Sequence, residues 1–335
     1  MVYGLPADVD VSLGHVIWWV SPIQTVGAWW LSIKLLPRLN GRKVQVMPDR
    51  PILVLGATGG QGGAVVDALL ARAAKVRALV RDPRTGSAQR LANHGLEVVA
   101  GSLNDEKSLA AAMHAVAGVF AMTTPFEDGV RAELEQGRAI LAAAHRAQVP
   151  HLVFSSVAGA NQRSGVPHFD SKAAIESELI VGGVAHTILG PTYFFDNALA
   201  GADRIRDGML DLPLPPDRPL QQLARPDLGA FAAEVLLSPA SYVGQRIELA
   251  SDAPTPADMA HALGVAVGRP VRHHRTRLEA IGSPDMRAMW EFLNGPGYQV
   301  DLPALHAAHP EISWTRFATW AARTFGPPHE REDRQ

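Results

Sequence analysis

The sequence of 335 residues predicts an α/β fold, a doubly wound parallel sheet with a smaller C-terminal α/β lid. From residue 52 onward, short apolar runs alternate with segments of helical periodicity, an order typical of a parallel sheet covered by helices on both faces. A glycine-rich turn at residues 56–63 joins the first apolar run to the first helical segment. After residue 190 the alternation loosens and proline becomes frequent at 212–219, which predicts the lid.

The predicted strands are apolar runs bounded by turn residues or by helical segments. Because helical segments separate the runs, neighbouring strands are expected to pair in parallel. A strand in the C-terminal part is predicted at 247–250. The strands predicted before it span residues 52–55, 76–80, 97–100, 118–122, 151–155 and 186–189.

The predicted helices carry apolar residues three to four positions apart. Asn104 and Asp170 are predicted to cap two of them at the N-terminus. Thr255, Pro256 and Asp258 are typical of a helix start, and this helix is predicted to run to Val267. The other predicted helices span residues 61–73, 87–94, 105–116, 127–148, 170–181, 278–293 and 314–325.

The glycine-rich turn predicts a binding site for the pyrophosphate of a dinucleotide. Glycine permits a tight turn and close backbone approach, and the following helix presents N–H groups and a partial positive charge to the phosphates. The strand before the turn and the helix after it are the context that a Rossmann-type fold requires. The residues predicted to contact the cofactor here are Gly56, Thr58, Gly59, Gly60, Gln61 and Gly62.

The end of the second strand indicates which dinucleotide is bound. An acidic residue at this position favours NAD, whereas an arginine favours the 2′-phosphate of NADP. Arg81 stands there and Arg84 follows closely, so the sequence predicts NADP(H) in preference to NAD. Asp82 lies between them, and its alternative role is to pair with an arginine.

Two further strand ends carry candidate cofactor contacts. Ser102 and Leu103 follow the third strand, where an adenine edge is expected. Thr123 and Thr124 follow the fourth strand, near the expected nicotinamide ribose. The alternative for all four residues is ordinary polarity at the end of a strand.

Five short motifs follow one another along the chain: GATGGQGG at 56–63, VRDP at 80–83, HFDSK at 168–172, PTYFFDN at 191–197 and YVGQ at 242–245. Together they resemble the short-chain dehydrogenase/reductase superfamily, and most closely its NmrA-like branch, over about residues 51–325. That branch includes NADPH-sensing regulators with little or no known catalysis, and relatives that reduce quinones or similar acceptors.

The resemblance also implies where an acid or base would stand. The superfamily's usual pair is Tyr-x-x-x-Lys with a serine at the end of the fifth strand, but here His168 occupies the tyrosine position and Lys172 is retained. Ser155 and Ser156 end the fifth strand. Lys172 is expected to hold the nicotinamide ribose, with a solvated lysine on the helix surface as the alternative. His168 either transfers protons near neutral pH or has no chemical role.

The motif at 191–197 is expected to line the nicotinamide side of an apolar pocket. Tyr193, Phe194 and Asn197 are its predicted cofactor contacts, although an aromatic cluster of this kind is also typical of plain core. Asp227 is interpreted as a packing or capping residue and not as a catalyst.

These features leave three hypotheses for function. The first is an NADP(H)-binding redox-state sensor, which would pass cofactor occupancy to a protein partner. The second is an NADPH-dependent reductase of quinone-like or conjugated acceptors, because such electrophilic acceptors need less acid catalysis than a carbonyl group. The third is a membrane-anchored reductase.

Composition excludes several other classes of function. The chain has no cysteine, which excludes disulfides, thiolate metal sites and a cysteine nucleophile. A net charge of −2 argues against nucleic acid as a direct partner. His273 and His274 are adjacent, so on a strand they would point to opposite faces. His306 and His309 have helical spacing but lack a third ligand, so no metal site is predicted. A cytoplasmic location is expected, with the inner membrane as the alternative.

The first 46 residues differ from the rest of the chain. Residues 11–33 contain no charged side chain and four of the seven tryptophans, and 23 such residues could span a bilayer. The alternatives are a mis-assigned start, with Met47 as the natural first residue, or a packed appendage. The domain boundaries predicted are 1–46 for this extension, 47–190 for the cofactor domain, 191–326 for the lid region and 327–335 for a polar tail.

Overall fold

A computed structural model describes residues 48–327 of the chain. The predicted N-terminal extension, with its charge-free segment, and the tail beyond residue 327 lie outside the described residues, so their roles stay predictions. Within residues 48–327, no helix combines the length and the apolar character needed to cross a membrane.

The apolar runs form strands where the sequence predicts them. A seven-stranded parallel sheet has the order β10-β6-β5-β4-β1-β2-β3, so the chain builds outward from β1 first to one side and then to the other. The carboxyl ends of β1 and β4 therefore face the crevice where ligands bind in open α/β sheets. The strands are β1 Ile52–Val54, β2 Val76–Val80, β3 Glu97–Ala100, β4 Gly118–Met122, β5 Leu152–Ser155, β6 His186–Pro191, β7 Tyr193–Phe194, β8 Met209–Leu212, β9 Gln222–Leu223, β10 Arg246–Leu249 and β11 Arg272–Arg275.

Helices cover both faces of this sheet, which confirms the doubly wound fold. On one face Leu109, Ile140 and Ile175 pack against the strands, and on the other face Val65 and Phe231 do so. The helices are α1 Gly60–Leu70, α2 Gly86–Asn93, α3 Glu106–Ala112, α4 Gly129–Arg146, α5 Pro167–Val181, α6 Ala202–Arg206, α7 Arg225–Leu237, α8 Pro256–Val267, α9 Pro284–Asn294, α10 Leu302–Ala308 and α11 Phe317–Phe325.

The two predicted N-caps in the sheet domain are wrong by a few residues. Asp105, not Asn104, caps α3, because its carboxylate accepts the Lys107 N–H at 3.0 Å. Helix α5 starts at Pro167 and not at Asp170, since a proline at the first helical position needs no N–H partner. Asp170 therefore lies within the first turn of α5, where its negative charge faces the positive end of the helix.

The C-terminal part adds helices and two short parallel strand pairs, β8–β11 and β7–β9, around a core of its own. The predicted helix at 255–267 is confirmed, with a capping box formed by Thr255 and Asp258. Helix α9 begins only at Pro284 and α11 only at Phe317, later than predicted.

Helix α7 is the main element that the sequence analysis missed. It is apolar on nearly all sides, so no amphipathic pattern marks it. It packs closely on α1, where a Cβ at Gly229 would overlap the carbonyl group of Ala64. Asp227 in its first turn accepts hydrogen bonds from Ser251 Oγ at 2.5 Å and from Thr315 N at 2.7 Å, which supports its interpretation as a packing residue.

Candidate functional site

The glycine-rich turn has the geometry that close approach to an anion needs. Gly56 has a φ of +67°, and Gly59 N donates to Gly56 O at 2.9 Å, which closes the turn. A Cβ at Gly62 would lie closer than 3.0 Å to Gly56 O, so only glycine fits there. No side chain caps the start of α1, which leaves its first N–H groups for a ligand.

A groove of about 440 Å³ runs over this turn to the ends of β2 and β3. Its polar floor and walls belong to four successive strand ends, as expected of a dinucleotide site. Asn104 also lines it, in the segment where an adenine edge is expected, and Glu127, Asp128 and Gln136 line it without having been predicted as contacts. The predicted residues that it brings together are Gly56, Thr58, Gly59, Gly60, Gln61, Gly62, Arg81, Ser102, Leu103 and Thr124.

The two predicted arginines differ in position. Arg81 lines the groove with 81% of its side chain exposed, and its Nη1 lies 3.3 Å from Glu127 Oε2. Arg84 does not line the groove: its Nε and Nη2 each bond the Asp82 carboxylate at 3.0 Å. This arrangement holds the pKa of Asp82 below its ordinary value. Asp82 therefore pairs with Arg84, whereas Arg81 faces the groove and is paired there with Glu127.

A second cavity, of about 600 Å³, adjoins the groove and shares Gln61, Met122 and Thr124 with it. We call it the acceptor cavity. Its lining is mainly apolar and aromatic, and it opens beside the end of β4, where a nicotinamide ring would lie. The predicted site residues that line it are Gln61, Thr123, Thr124, His168, Lys172, Tyr193, Phe194 and Asn197.

Lys172 is held inside the protein. Its Nζ donates to Thr123 O and Thr123 Oγ1, each at 2.8 Å, and lies 3.0 Å from Glu133 Oε1. Burial lowers the pKa of Lys172, and the fully buried Glu133 carboxylate opposes this shift. Because these contacts use all three N–H groups, Lys172 braces the end of β4 in this structure. To bind a ribose as predicted, Lys172 would have to exchange one of these three contacts for a contact with the ribose.

His168 lies one turn before Lys172 on α5 and also lines the acceptor cavity. Its Nδ1 lies 2.7 Å from Asp285 Oδ1, and its backbone N–H donates to the same oxygen at 3.1 Å. The ring packs edge-on against Phe169 at 4.8 Å between ring centres. Phe126 is 70% exposed at the mouth of the cavity, and its ring centre lies 5.7 Å from that of His168.

The remaining predicted residues have mixed roles. Ser155 Oγ bonds Gln61 Oε1 at 2.7 Å, and Ser156 Oγ bonds Glu176, so neither hydroxyl is positioned freely. Burial raises the pKa of Tyr193 to about 12, against a smaller opposing effect of its hydrogen bond with Asn197. Among residues 48–327 there is no cluster of side chains that could hold a metal ion.

Comparison with known proteins agrees with this geometry. The sequence profile of the NmrA-like family matches residues 48–294. The chain belongs to the NmrA-like family. An NAD(P)H azoreductase of Xenophilus azovorans is 32% identical over 229 residues, which are 68% of this chain and 78% of that protein. Quinone oxidoreductase 2 of Escherichia coli is 29% identical over 244 residues, 70% of this chain and 83% of that protein.

A solved structure of a quinone oxidoreductase matches the fold closely. An NADPH-dependent quinone oxidoreductase from Escherichia coli, complexed with NADPH, has a TM-score of 0.71 and 26% identity. The match covers 82% of this chain and 100% of that one. The seven-stranded NAD(P)-binding Rossmann-type fold of this NmrA-like protein is therefore confirmed.

Three site residues of this NmrA-like protein had no signal in the sequence. Glu133 is one of several charges on a helix that reads as amphipathic, and only the fold shows that it is buried. Asp285 is 117 positions from His168, and no local pattern links them. Arg225 starts α7, and its guanidinium lies over Gly60, with Nε 3.4 Å from Asp196 Oδ2.

Proposed function

We propose that this NmrA-like protein is an NADPH-dependent reductase of flat, apolar, conjugated acceptors such as quinone-like or azo compounds. The observation that supports it best is the pair of adjoining volumes. A polar groove that suits a dinucleotide meets an aromatic cavity at Gln61, Met122 and Thr124. Ligands bound in the groove and in the acceptor cavity would therefore meet at the end of β4.

The residues of the groove fit NADPH. Gly62 lacks the room for a Cβ, and the uncapped start of α1 leaves N–H donors, which together make a cradle for a pyrophosphate. Arg81 is the exposed cation at the end of β2, and a 2′-phosphate would replace Glu127 as its partner. When bound, the reduced nicotinamide supplies a hydride; the protein orients it and excludes water.

The acceptor cavity suits an aromatic electrophile. Tyr193, Phe194, Phe169 and Tyr298 contribute aromatic surface, and Met286 and Met289 add flexible apolar side chains. A volume of about 600 Å³ lies within the range of small-molecule sites. The similarity to an azoreductase and to a quinone oxidoreductase supports the same class of acceptor for this chain.

The sensor hypothesis is the second candidate. It is favoured by the histidine at the tyrosine position and by Lys172, whose three donors are engaged by Thr123 and Glu133. A sensor would bind NADPH in the same groove and pass its occupancy to a protein partner without consuming it.

One experiment separates the two candidates. Purified protein is mixed with NADPH and a panel of quinones, azo dyes and simple ketones, and nicotinamide absorbance is followed. The reductase predicts NADPH oxidation with conjugated acceptors and little with ketones. Saturable NADPH binding, measured by fluorescence, without oxidation by any acceptor would reject the reductase in favour of the sensor.

A further inference from the structure

The His168–Asp285 pair joins two distant parts of the chain at the acceptor cavity. One carboxylate oxygen of Asp285 binds both the ring Nδ1 of His168, at 2.7 Å, and its backbone N–H, at 3.1 Å. These two bonds fix the position of the imidazole relative to α9. Asp285 makes no other hydrogen bond or ion pair within residues 48–327.

The pair determines how the imidazole is used. An ionised carboxylate only accepts hydrogen bonds, so Nδ1 carries the proton that it shares with Asp285. Nε2 has no hydrogen-bond partner in the described part of the chain, and the ring lines the acceptor cavity. In the protonated ring both nitrogens carry N–H, and Nε2–H is then the donor available to a ligand.

Neighbouring charges in the cavity are already matched. Lys172 faces Glu133 at 3.0 Å, and Asp196 faces Arg225 at 3.4 Å. Among residues 48–327, Asp285 is the only charged side chain that bonds His168. The neutral groups that pack on the ring are Phe126 and Phe169.

We propose that His168 is a catalytic acid, with Asp285 as its positioning residue, and that this pair selects acceptors whose reduction creates a strongly basic atom. An azo group is such an acceptor, because hydride addition to one nitrogen leaves a basic anion on the other. The proposal rests on the proposed reductase function and adds proton delivery to it.

Reduction of the azo group transfers one hydride and one proton. The nicotinamide C4–H bond breaks with both electrons, one nitrogen of the azo group gains this hydride, and NADPH becomes NADP⁺. The second nitrogen takes a proton from His168 Nε2, which gives a hydrazine. Water then returns one proton to the imidazole.

The test compares two acceptors in the full-length protein. An azo dye needs both hydride and proton, whereas a cationic triarylmethyl dye needs only hydride, because hydride addition neutralises the cation. In His168→Gln and His168→Ala, azo reduction should fall by about 100-fold or more, as expected when general acid catalysis is removed. Reduction of the cationic dye should fall by a factor at least about tenfold smaller, a difference of about 1.4 kcal/mol between the two dyes.

His274→Gln is the matched control. His274 Nδ1 also lies 2.7 Å from an aspartate oxygen, that of Asp211, but His274 lines neither the groove nor the acceptor cavity. Both activities should remain at the wild-type level in this variant. If wild-type protein oxidises NADPH with quinones but does not reduce the azo dye, the selection of azo acceptors is rejected; if it oxidises NADPH with no acceptor at all, the reductase function fails. If it reduces both dyes and the His168 variants lose both equally or neither, only the acid role is rejected.

The role of Asp285 is tested by measurements that a purely structural role would leave unchanged. Asp285→Asn should lower azo reduction selectively and remove its solvent deuterium isotope effect, and Asp285→Glu should restore part of both. Added imidazole should rescue azo reduction by His168→Ala. Equal losses with both dyes, no change in the isotope effect and no rescue would reject the positioning role.

A binding measurement tests the hydrogen-bond donor at His168 Nε2 without turnover of the cofactor. A nitrophenolate anion mimics the negative charge on a partly reduced acceptor, and its absorbance reports whether it is ionised. Wild-type protein should bind the anion at least about tenfold more tightly than His168→Ala does, about 1.4 kcal/mol. Equal affinities would reject a donor at Nε2.

Discussion

The cofactor groove and the acceptor cavity are built in different ways. Apart from Gln136 on α4, the residues of the groove lie at the carboxyl ends of β1, β2, β3 and β4 or in the segments that directly follow them, so most contacts are set by one strand and its following turn. The acceptor cavity draws on segments around 122–126, 156–172, 191–200 and 286–298. The groove is thus encoded locally, whereas the cavity exists only when distant segments of the chain pack together.

The difference indicates which substitutions affect which function. A change in the groove should act mainly on the affinity for NADPH, since its contacts belong to one βαβ unit after another. A change in the cavity should act on stability and acceptor turnover together, since the same side chains hold the fold and contact the acceptor. Single substitutions with matched controls test this contrast.

Glu133→Gln should have the largest effect on stability. It removes the charge that faces the buried Nζ of Lys172 at 3.0 Å, and an uncompensated buried charge costs about 3–5 kcal/mol. Urea unfolding measures the loss. Glu135→Gln is the control, because Glu135 pairs with Arg131 on the exposed side of α4, and it should stay within about 0.5 kcal/mol of wild type. Equal effects of the two variants would show that the buried pair contributes no more than a surface one.

Gly62→Ala should mainly remove cofactor binding. The new Cβ would overlap Gly56 O, so the turn must shift, at a cost of about 1–3 kcal/mol in stability. The dissociation constant for NADPH, measured by fluorescence, should rise by about 100-fold, or about 2.7 kcal/mol. In Gly63→Ala the nearest atom, Ala57 O, is 3.6 Å from the new Cβ, so binding should be unchanged. Tight binding by Gly62→Ala would contradict a rigid cradle.

His151 directly precedes β5, at the amino end of the strand, and lines neither the groove nor the acceptor cavity. Burial, with a smaller contribution from His186, lowers its pKa from 6.5 to about 4. Between these values the unfolded chain binds a proton that the folded chain does not, so stability falls as pH drops from 6.5 towards 4. The loss from this group should be about 2 kcal/mol at pH 5.

His151→Gln should remove that component of acid sensitivity. Thermal unfolding at pH 7 and pH 5 measures it, with the exposed His114→Gln as the control. If both variants keep the wild-type pH dependence, the acid sensitivity arises from other groups.

Arg81→Ala should have the smallest of these effects and the most selective one. Loss of a single exposed cation from the groove should raise the dissociation constant for NADPH by about tenfold, or about 1.4 kcal/mol, and leave NADH binding unchanged. Arg84→Ala is the control, since Arg84 is bonded to Asp82 outside the groove. Equal weakening for NADH and NADPH would contradict recognition of the 2′-phosphate.

Elements whose structure is determined locally could be predicted from the sequence. The strand, glycine turn and helix at 52–70 follow from periodicity and backbone sterics, and the strands of the central sheet were all predicted. The cap of α3 was displaced by one residue because Asn104 and Asp105 are both good caps. Helix α7 was missed because burial on all sides removes the polar face that marks a helix.

The acceptor side could be predicted only in part. His168 and Lys172 were found because they share a motif on one helix, but their partners Asp285 and Glu133 belong to other helices. The position of a carboxylate on a helix does not reveal which distant residue it will contact. These pairs could therefore be identified only from the tertiary structure. The roles of His168 and Lys172 stay predictions, as do the domain boundaries at residues 46, 190 and 326.

The shared wall between the groove and the acceptor cavity has a consequence for steady-state kinetics. Because the two volumes have only Gln61, Met122 and Thr124 in common, both ligands of the proposed reaction fit at the same time. Hydride would then pass directly within a ternary complex. Double-reciprocal plots of rate against NADPH, at several fixed acceptor concentrations, should therefore give intersecting and not parallel lines.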